Sequence, residues 1–321
     1  MTTYIARKLI QVPVLLLGVV VVLFLLIHLA PGDPVSAFVG EVAVPPEYVA
    51  ELRQKLGLDR SLGEQFVIYL FQLGRADLGY SFYYNQPVLN LIFERVPATA
   101  MLMSTGLVTA TILGVALGVL AAARPHGWFD NSSSVITLIA YSLPVFWLGE
   151  LALLFFALYL GWFPTQGLQS FRGVEPGWGE VVDRIQHLVL PATVVGIRYL
   201  AIDFRLVRSG VIEILTQDYI QTARAKGLGA RVVLFRHALR NALLPVVTIT
   251  GLNIGFALSG AVLTEVIFGW PGVGRLTLDA IAHRDYPVLM GVFILITFVV
   301  VAVNLITDLV YAAIDPRIRL A

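Results

Sequence analysis

Residues 100–123 read AMLMSTGLVTATILGVALGVLAAA, and not one of them is charged. About 20 mainly apolar residues in a helix cross the hydrocarbon of a bilayer, and a helix satisfies every backbone N–H and C=O internally where no water can. The stretch therefore reads as a transmembrane helix. The rest of the chain agrees with it. Of 321 residues 58% are hydrophobic and 13% charged, and mean hydropathy is +0.82. A soluble domain carries about a quarter of its residues as charges. A net charge of +1 gives no basis for nucleic acid as a partner. The absence of cysteine excludes disulfides, thiolate metal sites and cysteine nucleophiles.

Working outward, six stretches have the length and apolarity of a span: Leu9–Ala30, Ala100–Ala123, Val135–Leu160, Leu188–Val207, Ala242–Val266 and Val288–Tyr311. The expected fold class is an all-α integral membrane protein with six transmembrane helices. The first run follows Arg7 and Lys8 and lacks a small-x-small cleavage pattern, so it reads as an uncleaved helix rather than a signal peptide. Basic residues set the orientation. Arg7, Lys8, Arg124, Arg224, Lys226, Arg231, Arg236, Arg240, Arg317 and Arg319 all fall on one side of a six-span chain, which places both termini in the cytoplasm. The chain divides into a first span (1–31), a long external segment (32–98) and a five-helix core (99–321) that includes a cytoplasmic loop, 210–241.

The external segment carries its own short helices. Pro46 to Leu56 reads as one. Ser61 and Glu64 form a capping box ahead of a second, Gln65 to Leu73, with Gly74 as its stop; residues 77–81 read as loop. Gly114/Gly118 and Gly251/Gly255 have the spacing that lets helices approach closely. Pro144, Pro191 and Pro245 are expected to bend their helices.

The loop 213–241 is the most informative segment. It reads as a helix over Asp218–Lys226, a turn at Gly227-Leu228-Gly229, and a second helix from Ala230 to about Asn241. On physical grounds alone, a basic loop of this kind is a surface held near anionic lipid. Gln221-Thr222-Ala223-Arg224-Ala225-Lys226-Gly227, followed by Leu244-Pro245, also resembles the cytoplasmic loop motif of ABC importer permeases. Gln221 and Thr222 stand where that motif has Glu and Ala. The long interval to Pro245, through Arg236-His-Ala-Leu-Arg-Asn-Ala-Leu-Leu-Pro245, is similar to the dipeptide, oligopeptide and nickel branch. Further similar stretches, His28 to Pro34, Leu143 to Gly149, Trp270 to Arg275 and Asp315 to Arg319, extend the resemblance over nearly the whole chain.

The resemblance implies a permease subunit in the bacterial inner membrane. It would move short peptides, or nickel, glutathione or another small solute, by alternating access. It implies three kinds of partner beside membrane lipid: a second homologous permease subunit, two ATP-binding subunits that hold ATP and Mg, and an external solute-binding protein. Gln221, Thr222, Ala223, Ala225, Lys226, Gly227 and Gly229 would form the loop that docks on an ATPase, with the small side chains on the docking face. Phe268, Trp270, Arg275 and Arg284 are candidates for contact with the binding protein, against a plain reading in which that loop packs on its own subunit. Glu150 and Arg198, each near the middle of its expected span, are expected to pair, because a lone charge at that depth is costly, with direct contact to the solute or separate solvation in a watery cavity as the alternatives. Asp203 sits nearer the cytoplasmic end, where water reaches it.

Rival classes lack their signatures. The chain holds no Gly-x-Ser-Gly, no His-Glu-x-x-His and no phosphate-cradling Gly-x-x-x-x-Gly-Lys-Ser/Thr, so no catalytic or metal-ligating residue is assigned and no cofactor is expected in this chain. Its five histidines, at 28, 126, 187, 237 and 283, are scattered. A channel would show a filter-like segment between helices, and none is visible. The orientation is testable. Reporters fused after Arg124 and after Lys226 should be cytoplasmic and one at Asp59 external; a cytoplasmic signal at Asp59 reverses the map.

Overall fold

The computed structural model describes residues 2–29, 45, 47, 50, 54, 59–81, 83–170, 177–260 and 262–314. The expected helix Pro46–Leu56, apart from residues 47, 50 and 54, and the basic residues Arg317 and Arg319 lie outside that set. The elements, in chain order, are α1 (Thr2–Leu29), α2 (Leu62–Gly74), β1 (Tyr80–Ser81), β2 (Gln86–Pro87), α3 (Val88–Ala122), α4 (Trp128–Ser142) and α5 (Val145–Ala152), which widens into a π-helical turn, Leu153–Tyr159. Next come α6 (Trp178–Leu215), α7 (Asp218–Ala225) and α8 (Ala230–Val232), which passes through a second π-helical turn, Val233–Leu239, into α9 (Arg240–Gly260). The last elements are α10 (Val262–Ile267), α11 (Val273–Ala282) and α12 (Tyr286–Ile314). Within the expected loop 77–81, Tyr80–Ser81 instead pair antiparallel with Gln86–Pro87.

Among the described residues, α3, α6, the α8–α9 run and α12 are each long and apolar enough to cross a membrane, and the bent pair α4–α5 makes a fifth candidate. The expected span Val135–Leu160 is thus two helices with a break between them rather than one continuous helix. The chain turns by 103° between α4 and α5, at Leu143-Pro144. Pro144 has no N–H for the Ala140 carbonyl and disfavours the helical region at Leu143; Leu143 is extended, at ψ 135. Pro191 and Pro245, by contrast, lie inside helices that run on without a break. The second loop helix likewise does not stop at Asn241 but continues as α9.

The seam between α3 and α6 organises the bundle. Glycines recur every four or eight residues along one face of α3. A Cβ on Gly106 would lie 3.1 Å from the Ala192 carbonyl, one on Gly114 2.9 Å from the Leu200 carbonyl, and one on Gly118 2.9 Å from the Phe204 carbonyl. Gly196 returns the contact, 2.9 Å from the Gly106 carbonyl. The two backbones thus touch over several turns, as small residues permit in lipid, where the hydrophobic effect cannot drive helices together. Positions pair in rising order along both chains, so α3 and α6 are parallel. The connection between them must carry the chain back across the bundle, and α4–α5 does so despite its bend.

Apolar clusters fill both ends of the seam. Leu102, Leu107, Val195 and Trp270 form one end; Val119, Val207, Val211 and Ala242 form the end nearer α7. Val88, Leu91 and Ile92 of α3 pack on α11 and α12 through Leu276, Val288 and Val292. The capping box at α2 is present as read. The Glu64 side chain accepts from the Ser61 N–H at 3.0 Å, and this bond holds its carboxyl below the usual range. Helix α2 then leans on α1 through an edge-to-face contact between Phe66 and Phe24.

The seam predicts a steric failure. Gly114→Leu must push backbone rather than a flexible side chain, at a cost of about 1–3 kcal/mol. It should lower the melting temperature of the detergent-purified protein, while leucine at Gly63, which has open space around it, should not.

Candidate functional sites: a capped turn, a buried carboxylate and an exposed cation pair

At the α7 end, α6 stops at Leu215 and the chain reverses into α7. Asp218 lies in its first turn and Arg224 in its last, each favourable to the helix dipole. A complete Schellman cap closes it. The Leu228 N–H donates to the Ala223 carbonyl at 3.3 Å and the Gly227 N–H to the Arg224 carbonyl at 2.9 Å. Gly227 has φ +80, the left-handed region where a Cβ is strained. Ile220 and Ala223 are buried with Val233 against Ile214 and Leu215. The Tyr219 hydroxyl accepts from the Asn241 side chain at 2.9 Å and ties α7 to the next helix.

This geometry divides the residues singled out from the sequence. Gln221, Thr222, Ala225, Lys226, Gly227 and Gly229 are exposed on the outer surface of the turn. Ala223 is not; it faces inward, 7% exposed. The expectation that it belongs to a docking face is corrected. A small residue is needed there because α7 lies close on the end of α6.

At the opposite end stands a group the sequence reading missed. Glu265 is fully buried. Its Oε1 accepts from the Thr99 hydroxyl at 2.6 Å and its Oε2 from the Arg275 N–H at 3.0 Å. Thr99 in turn accepts from the Val273 N–H at 2.8 Å. A Cβ on Gly272 would overlap the Glu265 carboxyl, and one on Gly274 would lie 3.0 Å from its Oε2. The glycines of Trp270-Pro-Gly-Val-Gly thus let a loop wrap a carboxylate. The signal was present in the sequence, as an acid at the edge of an apolar run with glycines seven and nine residues on. Phe268 and Trp270 are buried as well, and Trp270 Nε1 donates to the Ala98 carbonyl at 2.8 Å. Their expected role as binding-protein contacts is corrected, since both side chains are spent on their own subunit. Arg275 and Arg284 remain exposed. Beside them, Ser81 donates to Asp285 at 2.5 Å, and burial raises that carboxyl above the ordinary range. Burial also pushes the Tyr84 hydroxyl to about 12.

Between the two ends, Glu150 and Arg198 do not meet. Among the described residues the ion pairs within 4.0 Å are His187–Asp183, Arg208–Asp130 and Arg275–Asp279. The reason is the turn at Pro144. Glu150 lies beyond it, on a helix directed away from the line a straight span would follow, and is exposed. Arg198 instead lies over the Tyr141 ring, 5.4 Å from its centroid, and Arg205 lies over the same ring at 4.5 Å. Asp203 is not water-exposed as expected but 1% exposed, accepting from the Thr111 hydroxyl at 2.7 Å in the α3–α6 seam. Nearer α7, Asp130 takes two hydrogen bonds from Arg208 and one, at 2.8 Å, from the His126 N–H.

Lipid-length helices, a broken helix pair and a capped helical turn at one end define a multi-pass membrane protein. The chain belongs to the binding-protein-dependent transport system inner membrane component family, whose profile matches residues 114–320; the profile of that family's N-terminal component matches residues 1–103. It is a multi-pass protein of the bacterial inner membrane. It is 40% identical over 99% of both chains to the di/tripeptide transport system permease protein DppB of Pseudomonas aeruginosa strain UCBPP-PA14. With the dipeptide transport system permease protein DppB of Escherichia coli K12 it shares 39% identity, again over 99% of both chains. A solved chain of the MetNI methionine ABC transporter, from a study of its inward-facing conformations, superposes with a TM-score of 0.54 at 19% identity. That match covers 71% of this chain and 97% of the other, and shows a common fold.

The Glu265 clasp predicts a coupled loss. Thr99→Val leaves both the Val273 N–H and one Glu265 oxygen without a partner, at about 1–3 kcal/mol for a buried group. Its melting temperature should fall, and adding Glu265→Gln should cost less than the sum of the single changes, because the two share one network.

Proposed function

We propose that this chain is one of two membrane subunits of an ATP-driven importer of di- and tripeptides, working with a homologous second permease, two ATP-binding subunits and an external solute-binding protein. Full-length identity of about 40% to relatives named for di- and tripeptide transport carries the substrate class. Nickel, glutathione or another small solute is the alternative by the same mechanism. ATP and Mg belong to the partner subunits. With α1, 28 residues long, and the α4–α5 pair each counted as one crossing, the chain spans six times with both termini on the α7 side, the cytoplasm.

The Schellman-capped α7 supports the coupling role. Its inner face is locked to α6 through Ile220 and Ala223, while Gln221, Thr222, Ala225, Lys226, Gly227 and Gly229 are exposed on the outer face. A partner ATPase that closes around the outer face would pull on α6 without melting the helix. Solutes would then cross as the paired permeases rock between inward- and outward-open states.

Ala225→Trp tests this at an exposed position where the fold has room. Membrane level should be unchanged while peptide uptake by the assembled transporter falls at least about tenfold, as when a partner is kept from a central contact. Normal uptake rejects the docking face. Uptake of nickel or glutathione but of no dipeptide by the wild-type complex rejects the peptide reading.

A further inference from the structure

Arg198 and Arg205 are seven residues apart on α6, so they lie on one face, about 10 Å apart along the axis. That face is opposite the seam, because Arg198 is about 200° and Arg205 about 180° around the helix from Gly196. Both are exposed, and both reach the one aromatic ring of Tyr141. Arg205 Nε also donates to the Ala201 carbonyl at 3.3 Å, which uses a single donor of its guanidinium. Among the described residues neither cation has a carboxylate within 4.0 Å. The contrast with Arg208, three residues beyond Arg205 and doubly bonded to buried Asp130, is direct.

A cation inside a membrane span faces an opposite charge or water, and a ring face attracts it without neutralising it. The break after α4 points the same way independently. Tyr141 stands two residues before Leu143, where the chain turns by 103°, and Ser142 and Pro144 are exposed. The last carbonyls of a helix lack intrahelical partners, and such ends are tolerated at membrane depth only beside protein or a water-filled cavity. In secondary transporters, broken helices near the midplane hold the solute contacts. Cations, an aromatic face and an open helix end therefore converge on one exposed stretch of the surface.

We infer that Arg198 and Arg205, held apart by Tyr141 beside the α4–α5 break, form a carboxylate-binding station on the translocation path that takes the C-terminal carboxylate of the transported peptide. The assignment rests on the peptide-importer reading. Guanidinium donors form charge-assisted, often bidentate bonds to carboxylates. The ring keeps the two cations from collapsing onto other groups while the site is empty. Two cations one turn-pair apart give a carboxylate a second foothold as it moves toward the cytoplasm.

The test is binding of radiolabelled dialanine to the assembled permease–ATPase complex, without the solute-binding protein, in phosphatidylcholine nanodiscs. Unlabelled dialanine and dialanine amide are the competitors. Wild type should prefer the acid over the amide. Arg198→Gln should weaken dialanine binding about tenfold, the scale of one charge-assisted hydrogen bond, and make acid and amide equipotent. Arg205→Gln should act in the same direction, and Arg198→Lys should keep part of the preference. No dialanine binding in wild type, or unchanged acid preference in both Gln variants, overturns the inference. So does loss of the second permease subunit from purified Arg198→Gln complexes, which would make these cations a subunit contact. Loss of co-purifying phosphatidylglycerol with dialanine binding intact would assign them to lipid headgroups and overturn it too. Dialanine uptake by proteoliposomes supplied with the binding protein separates the two readings: uptake with unchanged binding in the variants sinks the station alone, and absence of uptake sinks the importer reading with it.

Discussion

Backbone contact between α3 and α6 along Gly106, Gly114, Gly118 and Gly196 is the constraint on which the remaining architecture hangs. Because those helices run parallel, the chain between them must recross the bundle, and the bent α4–α5 pair is the result. Because they touch so closely, any polar group in the seam is sealed from water. Asp203 is held there by Thr111. Lipid offers helices no hydrophobic reason to associate, so steric fit and a few internal hydrogen bonds replace it.

The polar groups divide by position. At the α7 end, Asp130 is closed by Arg208 and the His126 N–H. At the other end, Glu265 is closed by Thr99 and loop amides. Both are clasps, each joining segments far apart in sequence. A charge buried with its partners in place resists motion, since parting them strands a group in a poor solvent. The exposed face of α6 is different, for Arg198 and Arg205 share a ring and, among the described residues, have no carboxylate within 4.0 Å.

Helix α7 joins this scaffold mechanically. Ile220, Ala223 and Val233 key it into Ile214 and Leu215, the last turn of α6. Any force on the outer surface of α7 is delivered to the helix that carries one side of the glycine seam and both open cations. One element thus links the exposed surface of α7 to the face of α6 that carries Arg198 and Arg205.

Read alone, the sequence determined the class of fold, the helix over Asp218–Lys226, the glycine turn after it and the Ser61–Glu64 capping box. These depend on neighbours within a few residues, or on runs of apolar side chains that lipid requires wherever they sit. It also marked Gly114/Gly118 and Pro144 as places of close approach and bending. Only the tertiary structure decided which way Ala223 faces, that Phe268 and Trp270 are buried, and that Glu265 and Asp203 are enclosed. It alone showed that Arg198 meets Tyr141 and not Glu150. The physical reason is that hydropathy is blind to direction. A span bent by 103° has the same composition as a straight one, and the partner of a buried charge is chosen by the packing of helices more than a hundred residues apart, as Thr99 and Glu265 are.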